Sequence, residues 1–285
     1  MKKSRFYAAL IIALCMIISF AMLTSCGSDS NGASDSAEPA ASEEEEEQEP
    51  ADPKEKFCGS WSLAAAESNG VTMAGNFKEL AEMDDLGMLN INEDGTGEMA
   101  VGKKEADKTT LTWELKDDDT ITLKPAETTE SLGESVDVRY ENEALLMEIE
   151  QDDQTGTAIF THDGTYPEAR IITMEDAVDI TSEDELIGKW TMTAMNLMGI
   201  SVYGSSEDLS EMSGGNEIYI EFKKDGAAEM SGSEGSWKVD GNGAVLTATD
   251  ISGTNDYPVK KLEDEIVVDM SASLNGTTFI AVLSK

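Results

Sequence analysis

The side chains able to carry out chemistry are few: one histidine, His162, and three cysteines, Cys15, Cys26 and Cys58, in 285 residues. A Ser-His-Asp or Cys-His nucleophilic machine needs a base within hydrogen-bonding reach of its nucleophile, so any such machine would have to be assembled around His162. His162 is read instead as a surface residue. Cys58 has no histidine or basic cluster near it in sequence to depress its pKa, and it is read as a small buried hydrophobe. Zinc sites draw on clustered Cys and His, which the sequence lacks, and no Gly-rich phosphate loop, Gly-x-Ser-x-Gly elbow or dinucleotide fingerprint is present. The stretch Asn90-Ile91-Asn92-Glu93-Asp94-Gly95 matches the opening of a calcium loop, but position twelve is Val101 where a bidentate glutamate is needed, so a hairpin turn accounts for it better. Asp117-Asp118-Asp119 is likewise expected at a solvated reversal between strands. Among 58 acidic residues a carboxylate pair could always be chosen, so none singles out a glycoside hydrolase. The expectation is a non-enzymatic protein with no catalytic residue, no metal and no cofactor.

At the N-terminus Lys2, Lys3 and Arg5 precede an uncharged, mostly apolar run from Phe6 to Leu23. A basic head followed by an apolar segment is the layout of a signal peptide. Leu23-Thr24-Ser25-Cys26 resembles the lipobox of bacterial lipoproteins, in which a branched apolar residue and two small ones precede a cysteine that is lipidated and becomes the mature N-terminus. The resemblance implies a signal peptide over 1–25, lipidation at Cys26, and a location on the extracytoplasmic face of the cell membrane. Two acyl chains anchor stably where one is marginal. With Cys15 removed and Cys26 in a thioether, Cys58 is the one free thiol and no intramolecular disulfide can form.

Residues 27–56 are Ser, Ala, Gly, Pro and acids, including the run Glu43 to Glu47. Such a segment cannot bury enough apolar surface to offset its ordering entropy, so 26–56 is expected to be a disordered tether. The formal charge of −38 extends well beyond it: residues 57–285 hold 47 acids against 15 bases. Phosphate binding needs clustered Lys or Arg, so nucleic acid is excluded as a partner.

The remainder repeats itself. Gly59-Ser60-Trp61-Ser62-Leu63 returns as Gly188-Lys189-Trp190-Thr191-Met192, and Trp113 and Tyr140 are answered by Trp237 and Tyr257. Each first strand is followed by a helix-like segment, Phe77 to Met83 and Glu207 to Met212. Apolar residues alternate with period two, as in Ile218, Ile220 and Phe222, with reversals at Asp225-Gly226 and Asp240-Gly241. This predicts an all-β chain: two tandem up-and-down antiparallel barrels of about eight strands, each with a short helical insertion after its first strand. The expected boundaries are 57–162, a connector over 163–185 whose apolar residues could pack on a barrel wall, and 186–285.

Gly-x-Trp on the first strand of such a sheet resembles the lipocalin and calycin group, and in particular the lipocalin-like domains of bacterial lipoproteins. In lipocalins that Trp closes one barrel end and usually packs on an Arg from the last strand. This chain has only Arg5, Arg139 and Arg170, none of them in the second repeat. Trp61 and Trp190 are read as ligand contacts or as barrel-end plugs. Met99, Met192, Met230 and Met270 lie on apparently inward faces and either fill a core or line an adaptable cavity. The functional expectation is a membrane-anchored protein that binds a small apolar or amphipathic ligand in a barrel. The alternative is a structural or interaction module presenting barrel surfaces to other envelope proteins.

Overall fold

A computed structural model describes residues 52–75, 77, 87–100, 108–126, 133–151, 154–240, 243–250, 253–274 and 276–285. The signal peptide, Cys26, most of the tether and all of the first helix-like segment except Phe77 lie outside the described residues.

The alternation in the sequence becomes antiparallel strands. The first repeat comprises β1 (Gly59–Ser68), β2 (Val71–Gly75), β3 (Met88–Ile91), β4 (Thr96–Ala100), β5 (Lys108–Asp117), β6 (Thr120–Pro125), β7 (Val136–Glu141), β8 (Ala144–Gln151) and β9 (Gln154–Thr161). β1 pairs with β3, each later strand pairs with the next, and β9 returns to β1. Eight strands therefore close into an antiparallel barrel, which leaves none of them as an open edge. Inward positions follow the period of two: Leu111 and Trp113 on β5 and Ile121 and Leu123 on β6 are buried, and the residues between them are not. Turns sit where the acids and glycines predicted. At the β3–β4 reversal the Asp94 carboxylate accepts from the Thr96 amide at 3.0 Å and from its hydroxyl at 2.6 Å. The Asp119 amide donates to Asp117 at the β5–β6 turn.

In the second repeat β11 (Gly188–Leu197), β12 (Ile200–Tyr203), β13 (Tyr219–Phe222), β14 (Ala227–Met230), β15 (Ser233–Asp240), β16 (Gly243–Asp250), β17 (Gly253–Leu262), β18 (Glu265–Asp269) and β19 (Phe279–Ser284) follow the same order. β11 pairs with β13, the pairing runs on through β19, and β19 pairs back with β11. The register shift on the closing pair falls between Leu63 and Ala65 in one repeat and between Met192 and Ala194, the equivalent place, in the other.

The helical insertion differs from the expectation. β11 does not lead into the helix; it reverses at Met198-Gly199 into β12, and only then does the helix Ser206–Met212 begin, capped by the Ser205 hydroxyl accepting from the Asp208 amide. β2 is the same addition in the first repeat, reached through Asn69-Gly70. β2 and β12 then pair with each other, Met73 opposite Val202, so the two repeats are stitched into one sheet. Met73 and Val202 are each the third residue of equivalent strands, which gives the seam a local two-fold relation. That relation explains two glycines at equivalent positions. A Cβ on Gly75 would lie 2.6 Å from the Gly199 carbonyl oxygen, and one on Gly204 would lie 2.7 Å from that of Gly70.

The connector packs on outer walls, as its apolar content suggested. Tyr166 and Ala169 cover Ala65, Ala144 and Ile159 on the first barrel, while Ile172 and Ala177 cover Ala194, Val267 and Val282 on the second repeat. Its short strand β10 (Val178–Asp179) pairs with β17, and Arg170 forms an ion pair with Glu265. Ile171 and Val178 point to solvent.

Candidate functional site

Trp61 and Trp190 close equivalent ends of the two repeats. A short helical turn lies just before each first strand, Glu55–Phe57 and Glu183–Leu186. The Trp61 indole N–H donates to the Phe57 carbonyl at 2.8 Å, and that of Trp190 to the Leu186 carbonyl at 2.7 Å. Each otherwise buried indole donor is thereby satisfied by the carbonyl four residues earlier, as buried polar groups must be. Both outer ring faces are covered from the end of the last strand. His162 stacks on Trp61 with ring centroids 3.7 Å apart, its Nδ1–H donating to the Ser60 carbonyl, and Lys285 sets its ammonium 4.6 Å from the Trp190 ring. A histidine and a lysine therefore stand where the lipocalin resemblance would put an arginine. His162 is exposed, as expected, but it is also a packing residue. The glycine of each Gly-x-Trp is required here: Gly59 and Gly188 have φ of 130° and 125°, and a Cβ on Gly59 would press on the His162 ring at 3.3 Å.

At the opposite end of the second repeat lies an apolar cavity of about 270 Å³. Four methionines, Met192, Met195, Met230 and Met270, supply thioethers to its wall. β11 and β19 contribute Leu197, Ala281 and Leu283, β13 contributes Ile220, and Phe279 lies across the wall from the start of β19. Ser231 and Ser233, on the exposed β14–β15 turn, Leu274, on the turn before β19, and Ile218 and Tyr219, at the start of β13, complete the lining. No side chain on this wall carries a formal charge.

Of the residues selected from sequence, Met192, Met230 and Met270 are brought together on this wall. Trp190 is not among them, since it plugs the other end. Trp61 and Met99 are buried in the first barrel, and their part is packing. Met195, Leu197 and Phe279 were missed; Met195 and Leu197 lie on the inward side of β11 only because the register shift near Thr193 changes the strand's alternation. Cys58 is half-buried rather than fully buried. Its thiol donates to the Lys54 carbonyl, and burial, reinforced by Glu93, pushes its pKa up, the direction opposite to that of an activated thiolate. Among the described residues no group of three or more His, Cys, Asp or Glu is placed to hold a metal ion.

No family model and no curated protein matches this sequence. A protein of unknown function of the DUF3598 family from Nostoc punctiforme aligns over 81% of this chain and 96% of its own, at 9% identity and a TM-score of 0.20. The closed eight-stranded barrel is compatible with a lipocalin-like fold.

Proposed function

We propose that this is a non-enzymatic lipoprotein, anchored through Cys26 on the extracytoplasmic face of the membrane after removal of residues 1–25, and carrying two tandem lipocalin-like barrels of which the second binds a small apolar ligand. The observation that carries the reading is the methionine-lined cavity. About 150 Å³ of apolar space holds a benzene molecule, so about 270 Å³ suits a ligand on the order of ten carbons. The lipobox-like Leu23-Thr24-Ser25-Cys26 and the acidic segment behind it support the anchoring. The absence of enzymatic chemistry is supported by His162, engaged with Trp61 and Ser60, and by Cys58, held as a thiol.

Titration of the purified protein with naphthalene, followed by the probe's fluorescence and by native mass spectrometry, tests the cavity. One saturable site per chain is expected, and absence of saturation refutes binding. Labelling of expressing bacteria with a radioactive fatty acid tests the anchor: the protein should carry label and Cys26→Ala should carry none, and an unlabelled parent protein refutes lipidation at that residue.

A further inference from the structure

Resting on the cavity reading above, we infer that the ligand is uncharged and that the site rejects carboxylates, free fatty acids included. A buried anion needs a cation or several aligned donors, because desolvation of an unpaired carboxylate costs far more than its apolar tail recovers. The wall offers neither. Its polar members are Tyr219, Ser231 and Ser233. The Tyr219 hydroxyl donates to Glu229 at 2.5 Å, and the Ser231 hydroxyl donates to the Tyr219 carbonyl at 3.4 Å. Nor can an anionic head remain outside with its tail inserted. Glu234 follows Ser233 on the exposed turn, and on the outer face of the same wall the Tyr219 hydroxyl meets Glu229 while Lys189 meets Glu217. The nearby cations already have carboxylate partners: Lys189 pairs with Glu217 at 2.5 Å and Lys223 with Glu229 at 3.1 Å. A net charge of −38 adds long-range repulsion of the same sign. Four thioethers, in contrast, present a polarisable and adaptable surface that suits aromatic and aliphatic groups without a head.

The test is displacement of bound naphthalene from the full-length protein by 1-octanol and by octanoate, which share a chain length and differ in charge. About 1 M salt shortens the Debye length to about 3 Å, so the long-range field is removed and the local wall is read alone. Octanol should displace naphthalene at a concentration at least tenfold below octanoate. Ser233→Lys, at an exposed wall position, should improve octanoate at least tenfold relative to octanol. Octanoate displacing as well as octanol, or better, overturns the inference while leaving the cavity reading intact, as does failure of octanol to displace at all. If naphthalene itself does not bind, the cavity reading falls and this inference falls with it.

Discussion

Ala281→Leu tests whether the space in the second repeat is real and whether ligand occupies it. Ala281 is 1% exposed, lies on β19 opposite Val268 and Met195, and lines the cavity. Leucine adds three carbons to apolar space, a transfer gain of about 2.4 kcal/mol at about 0.8 kcal/mol per carbon. Fixing the leucine rotamer costs about 0.5–1 kcal/mol, which leaves a net stabilisation of about 1.5 kcal/mol. For a folded region of this size that corresponds to a rise in Tm of about 3–6 °C. The same change should weaken naphthalene binding at least tenfold, since the added atoms occupy the ligand's volume. Stability gained with binding lost is the trade expected when a cavity is kept open for function. Differential scanning calorimetry with and without naphthalene reads both quantities. A Tm lower by more than about 3 °C would mean that the site was already full, because overpacking costs about 1–3 kcal/mol. An unchanged naphthalene affinity would place the ligand elsewhere.

Gly204→Ala should destabilise the seam between repeats. Its Cβ would meet the Gly70 carbonyl oxygen at 2.7 Å, a clash costing about 1–3 kcal/mol against about 0.4–1 kcal/mol gained from a stiffer unfolded chain. Urea unfolding should therefore shift to lower midpoint, and a stabilised variant would contradict the pairing of β2 with β12. Trp190→Phe removes the donor to the Leu186 carbonyl and should cost about 1–3 kcal/mol by the same measurement, a loss under about 0.5 kcal/mol being inconsistent with a plug. Tyr166 donates to Glu67 at 3.2 Å, and burial together with that carboxylate raises its phenol pKa well above the ordinary 10.0. A group whose pKa is raised by folding contributes stability that is complete below its unfolded pKa and is lost as pH rises through the folded one. Stability should thus decline above about pH 10, and Tyr166→Phe should make that decline shallower in urea titrations across pH 9 to 11.5. An identical slope would show that Tyr166 ionises as freely folded as unfolded.

Period-two alternation, the paired tryptophans and the Asp-Gly reversals determined from sequence alone that the chain is all-β, that it is duplicated, and that its strands follow one another in order. Those are local properties: successive side chains in an extended strand face opposite sides whatever lies across from them. One hydrogen bond recurs at equivalent places, since the Trp113 indole donates to the Asn92 carbonyl just as that of Trp237 donates to the Lys223 carbonyl. Sequence also identified three of the cavity methionines, because inward position on a strand is part of the same alternation.

What remained hidden depended on distance rather than period. Whether Met99 or Met230 faces a filled or an open interior is decided by the volumes of side chains on strands far away in sequence, such as Leu283, which lines the cavity together with Met230. The seam required two short strands, each only an appendage of its own repeat, to find each other across about 130 residues, and its mark in the sequence is only a glycine at each equivalent place. The covering of Trp61 and Trp190 by His162 and Lys285 was likewise a matter of tertiary placement, because any residue that follows the last strand of a closed barrel arrives beside the first. Pattern sets which way a side chain points, and only the closed sheet sets what it meets there.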